Sequence, residues 1–247
     1  MKKGRFSVYT ILRYITIILL IVSVHFQEKV EASSYYPLQT KYPDTMIYKV
    51  DTNEKVIAFT FDDGPDERYT PEILDVLKKH DVKATFFLLG TRVDKYPEVV
   101  KRIHEEGHAI GNHTYWHPEL TKKPDGVASL VWETNKNEQA IESVIGLKTN
   151  LFRAPYGAIN GEMIEKLKEM NYQAVGWSID SEDWKGLSKN KIKHNVISGL
   201  HPGSIVLMHS AGRVPGTPEA LDELLRYLKT NGYMIVTIPD LWKVQYK

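Results

Sequence analysis

Val56-Ile57-Ala58-Phe59-Thr60-Phe61-Asp62-Asp63-Gly64-Pro65 is the stretch on which the fold turns. The apolar, β-branched and aromatic run over 56–61 predicts a short strand buried on both faces. It stops at two adjacent carboxylates followed by a Gly-Pro turn signal. Runs of the same kind recur at 84–89, 109–112, 151–154, 174–179, 204–208 and 233–238. Between most of them lie helical patterns, at 71–80, 97–106, 133–145, 161–170, 191–200 and 218–230. Gly107, Gly146 and Gly232 follow three of these helices, and Thr70 before Pro71 suits an N-cap. Seven strands with six intervening helices predict a parallel α/β architecture, closed or nearly closed as a barrel. An open doubly wound sheet fits the same pattern. The sequence carries no internal repeat, low-complexity tract, Gly-rich phosphate loop or second domain.

Composition narrows the function classes. The chain has 247 residues, enough for one sizeable domain, and 32 Lys+Arg against 31 Asp+Glu leave a net charge of +1. No global positive field points to nucleic acid. Hydrophobic residues at 42% supply a core, and 14 Tyr with 5 Trp leave aromatics over for stacking on a ligand. The absence of Cys excludes disulfides, thiol catalysis and Cys-ligated metals.

The first 32 residues differ from the rest. Lys2, Lys3, Arg5 and Arg13 precede an apolar run over 14–26, and Val30-Glu31-Ala32 offers a cleavage site before Ser33. That run is shorter than the roughly 20 residues that span a bilayer comfortably. Residues 1–32 therefore read as a cleaved export signal or an N-terminal membrane anchor. Either places the remainder outside the cytoplasm, secreted or at the outer face of the membrane. Residues 33–53, with Pro37 and Pro43, read as a linker, and 54–244 as the α/β domain.

In parallel α/β proteins, sites collect at the carboxyl ends of strands, and here those ends carry unusual side chains. Adjacent Asp62 and Asp63 cannot both be buried and charged without a cation, an arginine or a proton. The pair also suits a helix cap beside a turn. His113-Thr114-Tyr115-Trp116-His117 spaces two imidazoles so that a helix turn or tight loop converges them on one ion. Asp63 would complete a two-His, one-Asp set that leaves positions open for water and substrate. Zinc fits these donor types, and cobalt, manganese or iron would take the same set. Arg153 in Arg153-Ala154-Pro155-Tyr156-Gly157 is a candidate partner for the spare carboxylate. Strand five runs into Asp180-Ser181-Glu182-Asp183-Trp184, and strand six ends at Leu207-Met208-His209, where His209 is a candidate general acid.

Together TFDDGP (60–65), HTYWH (113–117), RAPYG (153–157), DSEDW (180–184) and LMH (207–209) resemble the polysaccharide deacetylase family, the carbohydrate esterases of the NodB-homology type. The resemblance runs from about Val56 to Val236. It implies a distorted (β/α)7 barrel and metal-dependent removal of N-acetyl groups from chitin oligomers or peptidoglycan. It assigns Asp62 as catalytic base, Asp63, His113 and His117 as metal ligands, and Arg153 as the partner of Asp62. Tyr156 would lend its backbone N–H to the oxyanion, Trp184 and Leu207 would shape the acetyl pocket, and His209 would be the acid. Asp183 or Asp180 would orient His209, with Asp183 favoured because it directly precedes Trp184. The expected partner is a polysaccharide, peptidoglycan before chitooligosaccharide, acted on by a monomer without nucleic acid. O-acetyl ester hydrolysis on acetylated xylan and non-catalytic glycan binding are the other classes the residues admit.

Overall fold

The computed structural model describes residues 36–244 together with Tyr14 and Ile17, so the export segment expected over 1–32 lies outside the described residues save for those two. A short helix, α1 (Pro37–Lys41), belongs to a compact unit that ends at Lys41, and a second unit starts at Tyr42. No helix among the described residues is long and apolar enough to cross a membrane.

From Tyr42 onward the sheet strands are β1 (Met46–Ile47), β2 (Val56–Asp62), β3 (Thr85–Leu88), β4 (Ala109–Asn112), β5 (Leu151–Phe152), β6 (Gln173–Val175), β7 (Ile179–Asp180), β8 (Ile205–His209) and β9 (Met234–Val236). Their order is β1-β6-β5-β4-β3-β2-β8-β7, with β9 beside β2, and every named pairing is parallel. The helices are α2 (Tyr69–Lys79), α3 (Gly90–Lys95), α4 (Pro97–Glu105), α5 (Gly126–Ile145), α6 (Gly161–Glu169), α7 (Lys189–Ser198), α8 (Thr217–Thr230) and α9 (Ile238–Val244). The sheet curls until the segment after β1 meets the one before β8. There the Val50 N–H donates to the Gly203 carbonyl (2.9 Å) and Lys49 bridges Ser204. The result is the curled parallel barrel that the strand pattern predicts, of the distorted (β/α)7 type that the resemblance implies, not the open doubly wound sheet.

Three local expectations change. The run over 174–179 is two strands: β6 pairs with β1 and β5, whereas β7 pairs with β8. Gly176 lies in the break, where a Cβ would sit 2.2 Å from the Tyr48 ring. An apolar run does not reveal that its halves have different neighbours. Residues 46–50, read as linker, hold an edge strand and bury Met46, Ile47 and Val50. Thr70 is not an N-cap. It lies inside α2, and its hydroxyl donates to the Ser210 carbonyl (2.8 Å), tying the helix start to the end of β8.

Period-2 alternation along β2 decides where the chemistry faces. Ile57, Phe59 and Phe61 share a cluster with Leu74 and Leu77 of α2 and Leu221 and Leu225 of α8. Val56 and Ala58 join the inner cluster with Phe87, Ile205 and, from α9, Ile238, Leu241 and Trp242. Thr60 and Asp62 continue that inner row towards the carboxyl end of the barrel.

Below the sheet, buried His108 accepts the Ala84 N–H on Nδ1 (3.1 Å). Burial first, then the charge of Lys83, pushes its pKa down to about 4. The unfolded chain therefore binds the extra proton between pH ~6.5 and ~4, so stability present above that window is lost as pH falls through it, on the order of 3 kcal/mol. Urea midpoints at pH 7 and pH 4 are expected to differ less in His108→Asn than in the parent, and an equal difference contradicts this role.

Candidate active site

β2 delivers Asp62 to the mouth in register with His209 of β8. Asp62 is buried, and its Oδ1 accepts from Arg153 Nη1 at 2.7 Å. All three Arg153 nitrogens are engaged. Nη1 also donates to Thr60 Oγ1 (2.7 Å), Nε to the Val175 carbonyl (3.0 Å) and Nη2 to the Gly176 carbonyl (2.9 Å). Its guanidinium lies 4.2 Å from the Phe87 ring centroid, so the cation is fixed by hydrogen bonds at its edge and by packing on its face. Asp62 Oδ2 is left facing His113 Nε2, 3.7 Å away.

The chain leaves β2 through Asp63 in the left-handed region (φ 67) and then Gly64, where a Cβ would lie 2.3 Å from Ser210 Oγ. This turn sets Asp63 Oδ1 at 3.5 Å from His113 Nε2 and 3.3 Å from His117 Nε2. One donor atom from each of the three residues lies within 4.8 Å of the others. The buried Asp63 Oδ1 has no hydrogen-bond partner, as expected of an oxygen reserved for a cation. His113 Nδ1 is 2.7 Å from the Arg153 carbonyl, which takes the Nδ1–H and turns the Nε2 lone pair towards Asp63. Burial alone would raise the Asp63 carboxyl, but His113, His209 and His117 hold it far below the usual carboxylate range. Burial likewise opposes charge on His113, yet Asp62 and Asp63 raise it. Two carboxylates thus draw positive charge to this point, and a divalent cation meets that demand as a proton does. The donor set fits a metal.

The loop carrying His117 needs support, because Thr114 (φ 70) and His117 (φ 61) both adopt left-handed backbone. Thr114 Oγ1 accepts the His117 N–H (3.0 Å), and Asn112 Oδ1 accepts the Thr114 N–H (3.0 Å). From α5, buried Glu133 reaches in with Oε2, which accepts both the Tyr115 and Trp116 N–H groups at 2.8 Å. Removal of this support is expected to loosen metal binding. Glu133→Ala should weaken zinc affinity roughly 10- to 100-fold in chelator competition, whereas Glu133→Gln, which keeps an acceptor oxygen, should recover most of it. Equal affinities in parent and Ala variant contradict the role.

Across the mouth, His209 Nδ1 lies 2.7 Å from Asp183 Oδ1. Asp183 Oδ2 accepts the His209 N–H (2.9 Å) and the Thr217 hydroxyl (2.7 Å), so the fully buried carboxylate is held from three directions. Burial would lower the His209 pKa, but Asp183, then Asp62 and Asp63, lift it to about 9. Asp183, and not Asp180, is the carboxylate on this ring. Asp180 Oδ1 accepts the Glu182 N–H (2.7 Å), and burial raises its own pKa.

A cavity of about 340 Å³ joins these parts. Asp62, Asp63, His113, His117, Tyr156, Trp184, Leu207 and His209 line it, with Trp177 and Asp180 completing the wall. Arg153 and Asp183, also singled out from the sequence, act from behind through Asp62 and His209. Tyr156 is left-handed (φ 59) and sets its ring edge-on to His117, 4.7 Å between centroids. The sequence reading missed Glu133 and Thr217, ordinary residue types whose contacts lie far along the chain, Asn112, which acts two residues on at Thr114, and Thr60, quoted in the motif without a role.

The family model for polysaccharide deacetylase matches residues 49–175. A peptidoglycan-N-acetylglucosamine deacetylase of Bacillus cereus is 44% identical over 77% of this chain and 70% of its own length. The PgdA peptidoglycan-N-acetylglucosamine deacetylase of Listeria monocytogenes is 40% identical over 84% of this chain but only 42% of its own length. The peptidoglycan-N-acetylmuramic acid deacetylase PdaA of Bacillus subtilis is 38% identical over 78% of this chain and 74% of its length. Among solved structures, the Bc1960 peptidoglycan N-acetylglucosamine deacetylase superposes with a TM-score of 0.77 at 42% identity, covering 80% of this chain and 92% of that one. BA3943 of Bacillus anthracis, described as a pseudoenzyme, superposes with 0.74 at 33% identity over 80% and 68%. The fold is thus shared by active and inactive relatives, and the residues of the cavity must carry the functional argument.

Proposed function

The chain belongs to the polysaccharide deacetylase family, and from that premise we propose that it hydrolyses N-acetyl groups from N-acetylglucosamine units of peptidoglycan, releasing acetate with the aid of a divalent metal. The observation that carries this reading is Asp62, held on one oxygen by Arg153 and facing the Asp63, His113 and His117 donor set with the other. A protein that only bound glycan would have no use for a clamped carboxylate opposite a His–Asp donor set.

Asp63, His113 and His117 would hold the metal, zinc by donor type, with cobalt, manganese and iron suited to the same set. When bound, it supplies Lewis acidity towards the acetamide carbonyl. The remaining work falls to the protein. Asp62 Oδ2 takes a proton from the attacking water, and Arg153 holds that carboxylate in its aim. The Tyr156 backbone N–H supports negative charge as it grows on the carbonyl oxygen. Leu207 and Trp184 enclose the acetyl methyl and exclude bulk water. His209 then gives its Nε2 proton to the departing sugar nitrogen, and Asp183 steadies the imidazolium beforehand. Residues 1–32, in the export reading, would bring this chemistry to the cell wall.

Acetate release is to be compared on purified peptidoglycan, chitooligosaccharides and acetylated xylan. Release chiefly from peptidoglycan, with free amine on glucosamine units, is expected. Release from xylan alone would replace the N-deacetylase reading with an O-acetyl esterase.

A further inference from the structure

Next to His117 in the chain begins a group of exposed aromatic rings that no step above uses. Trp116 is 65% exposed and Trp132, on α5, 53%, although indoles are on average well covered. Tyr115 stands between them, its ring centroid 5.1 Å from Trp116 and 6.3 Å from Trp132, edge to face in both pairs (80° and 84°). The Tyr115 hydroxyl donates to Asp94 Oδ2 (2.6 Å), and Lys136 Nζ lies 5.3 Å from the Tyr115 ring centroid. The shelf is fixed in place. Glu133 holds the Tyr115 and Trp116 backbone, and Gly90 admits the Tyr115 ring where a Cβ would come within 2.2 Å of it. Along the chain it adjoins the cavity wall, because Trp116 directly precedes His117, which lines the cavity.

We propose that Trp116 and Trp132 form a carbohydrate-stacking shelf, which binds a unit of the glycan chain outside the one whose acetamide enters the cavity. This rests on the deacetylase reading. A cavity of about 340 Å³ accepts a sugar unit but not a polymer, so the rest of the chain must cross the surface beside the mouth. A pyranose ring presents an apolar C–H face with hydroxyls at its edge. An aromatic shelf rimmed by Lys136 and Asp94 offers the matching apolar faces and polar rim.

The test compares chitopentaose with chitobiose. Trp132→Ala is expected to raise KM about tenfold on the pentamer, with kcat within about twofold and the dimer unaffected. Trp116→Ala should act in the same direction, and Trp132→Phe should keep most of the affinity. Equal shifts on both lengths, or none on either, would overturn the shelf. So would a parent that sediments as a dimer and is split by Trp132→Ala with KM unchanged, since the rings would then cover a second copy. An indole-fluorescence titration of Asp62→Asn with chitopentaose separates this idea from the enzymatic one. Trp132→Ala in that background should weaken binding about tenfold, and unchanged affinity overturns the shelf whether or not the parent releases acetate.

Discussion

Asp62→Asn is expected to keep its metal and its fold while losing roughly a hundredfold to ten-thousandfold in acetate release, the range for removing a positioned general base. The amide oxygen can still accept from Arg153 Nη1, so the arginine is not stranded. The three donor atoms of Asp63, His113 and His117 are untouched, so zinc content should match the parent. Only the second oxygen changes, from a proton acceptor to an NH2 group facing His113. Acetate release at the parent rate by a zinc-replete variant would remove Asp62 from the mechanism. His113→Ala offers the contrast, because it should lose metal and activity together.

Asp183→Asn is expected to produce the second large effect, and its signature is a displaced pH profile as well as a lower rate. His209 must be protonated to donate, and the upward shift that Asp183 imposes favours that state at neutral pH. Activity should therefore fall on an alkaline limb as the imidazole loses its proton. Asp183 is the main group that opposes burial there, through the 2.7 Å contact with Nδ1 and its charge. With the amide in place burial gains weight, and the alkaline limb should move to lower pH by at least about one pH unit. A lower rate with an unmoved limb would mean that Asp183 acts only by packing. Thr217→Val, which removes a donor from Asp183 Oδ2, should lower the rate less.

The candidate site was legible because its residues sit in short contiguous motifs at strand ends. A strand-end carboxylate pair, two histidines four apart and an arginine before Ala-Pro each announce themselves locally, and the parallel barrel then carries them to one mouth. What supports them is not local. Glu133 reaches 18 residues back to the Tyr115 amide, and Thr217 reaches 34 residues back to Asp183. A glutamate in a helix and a threonine before a proline have ordinary surface and turn readings, so nothing in their spacing marks them. The same reason explains the sheet. β6 and β7 form one apolar run in sequence and become two strands only because their hydrogen-bonding neighbours differ. Met46–Ile47 looked like linker because two residues carry too little periodicity to call a strand.

The most direct measurement is acetate release from purified peptidoglycan by the full chain, stripped with a chelator and then titrated with zinc, with bound zinc and new free amines counted in the same samples. The account predicts that activity vanishes on stripping, returns in proportion to zinc up to about one ion per chain, and yields one amine for each acetate. Acetate release unaffected by stripping would contradict it, as would a chain fully loaded with zinc that releases none.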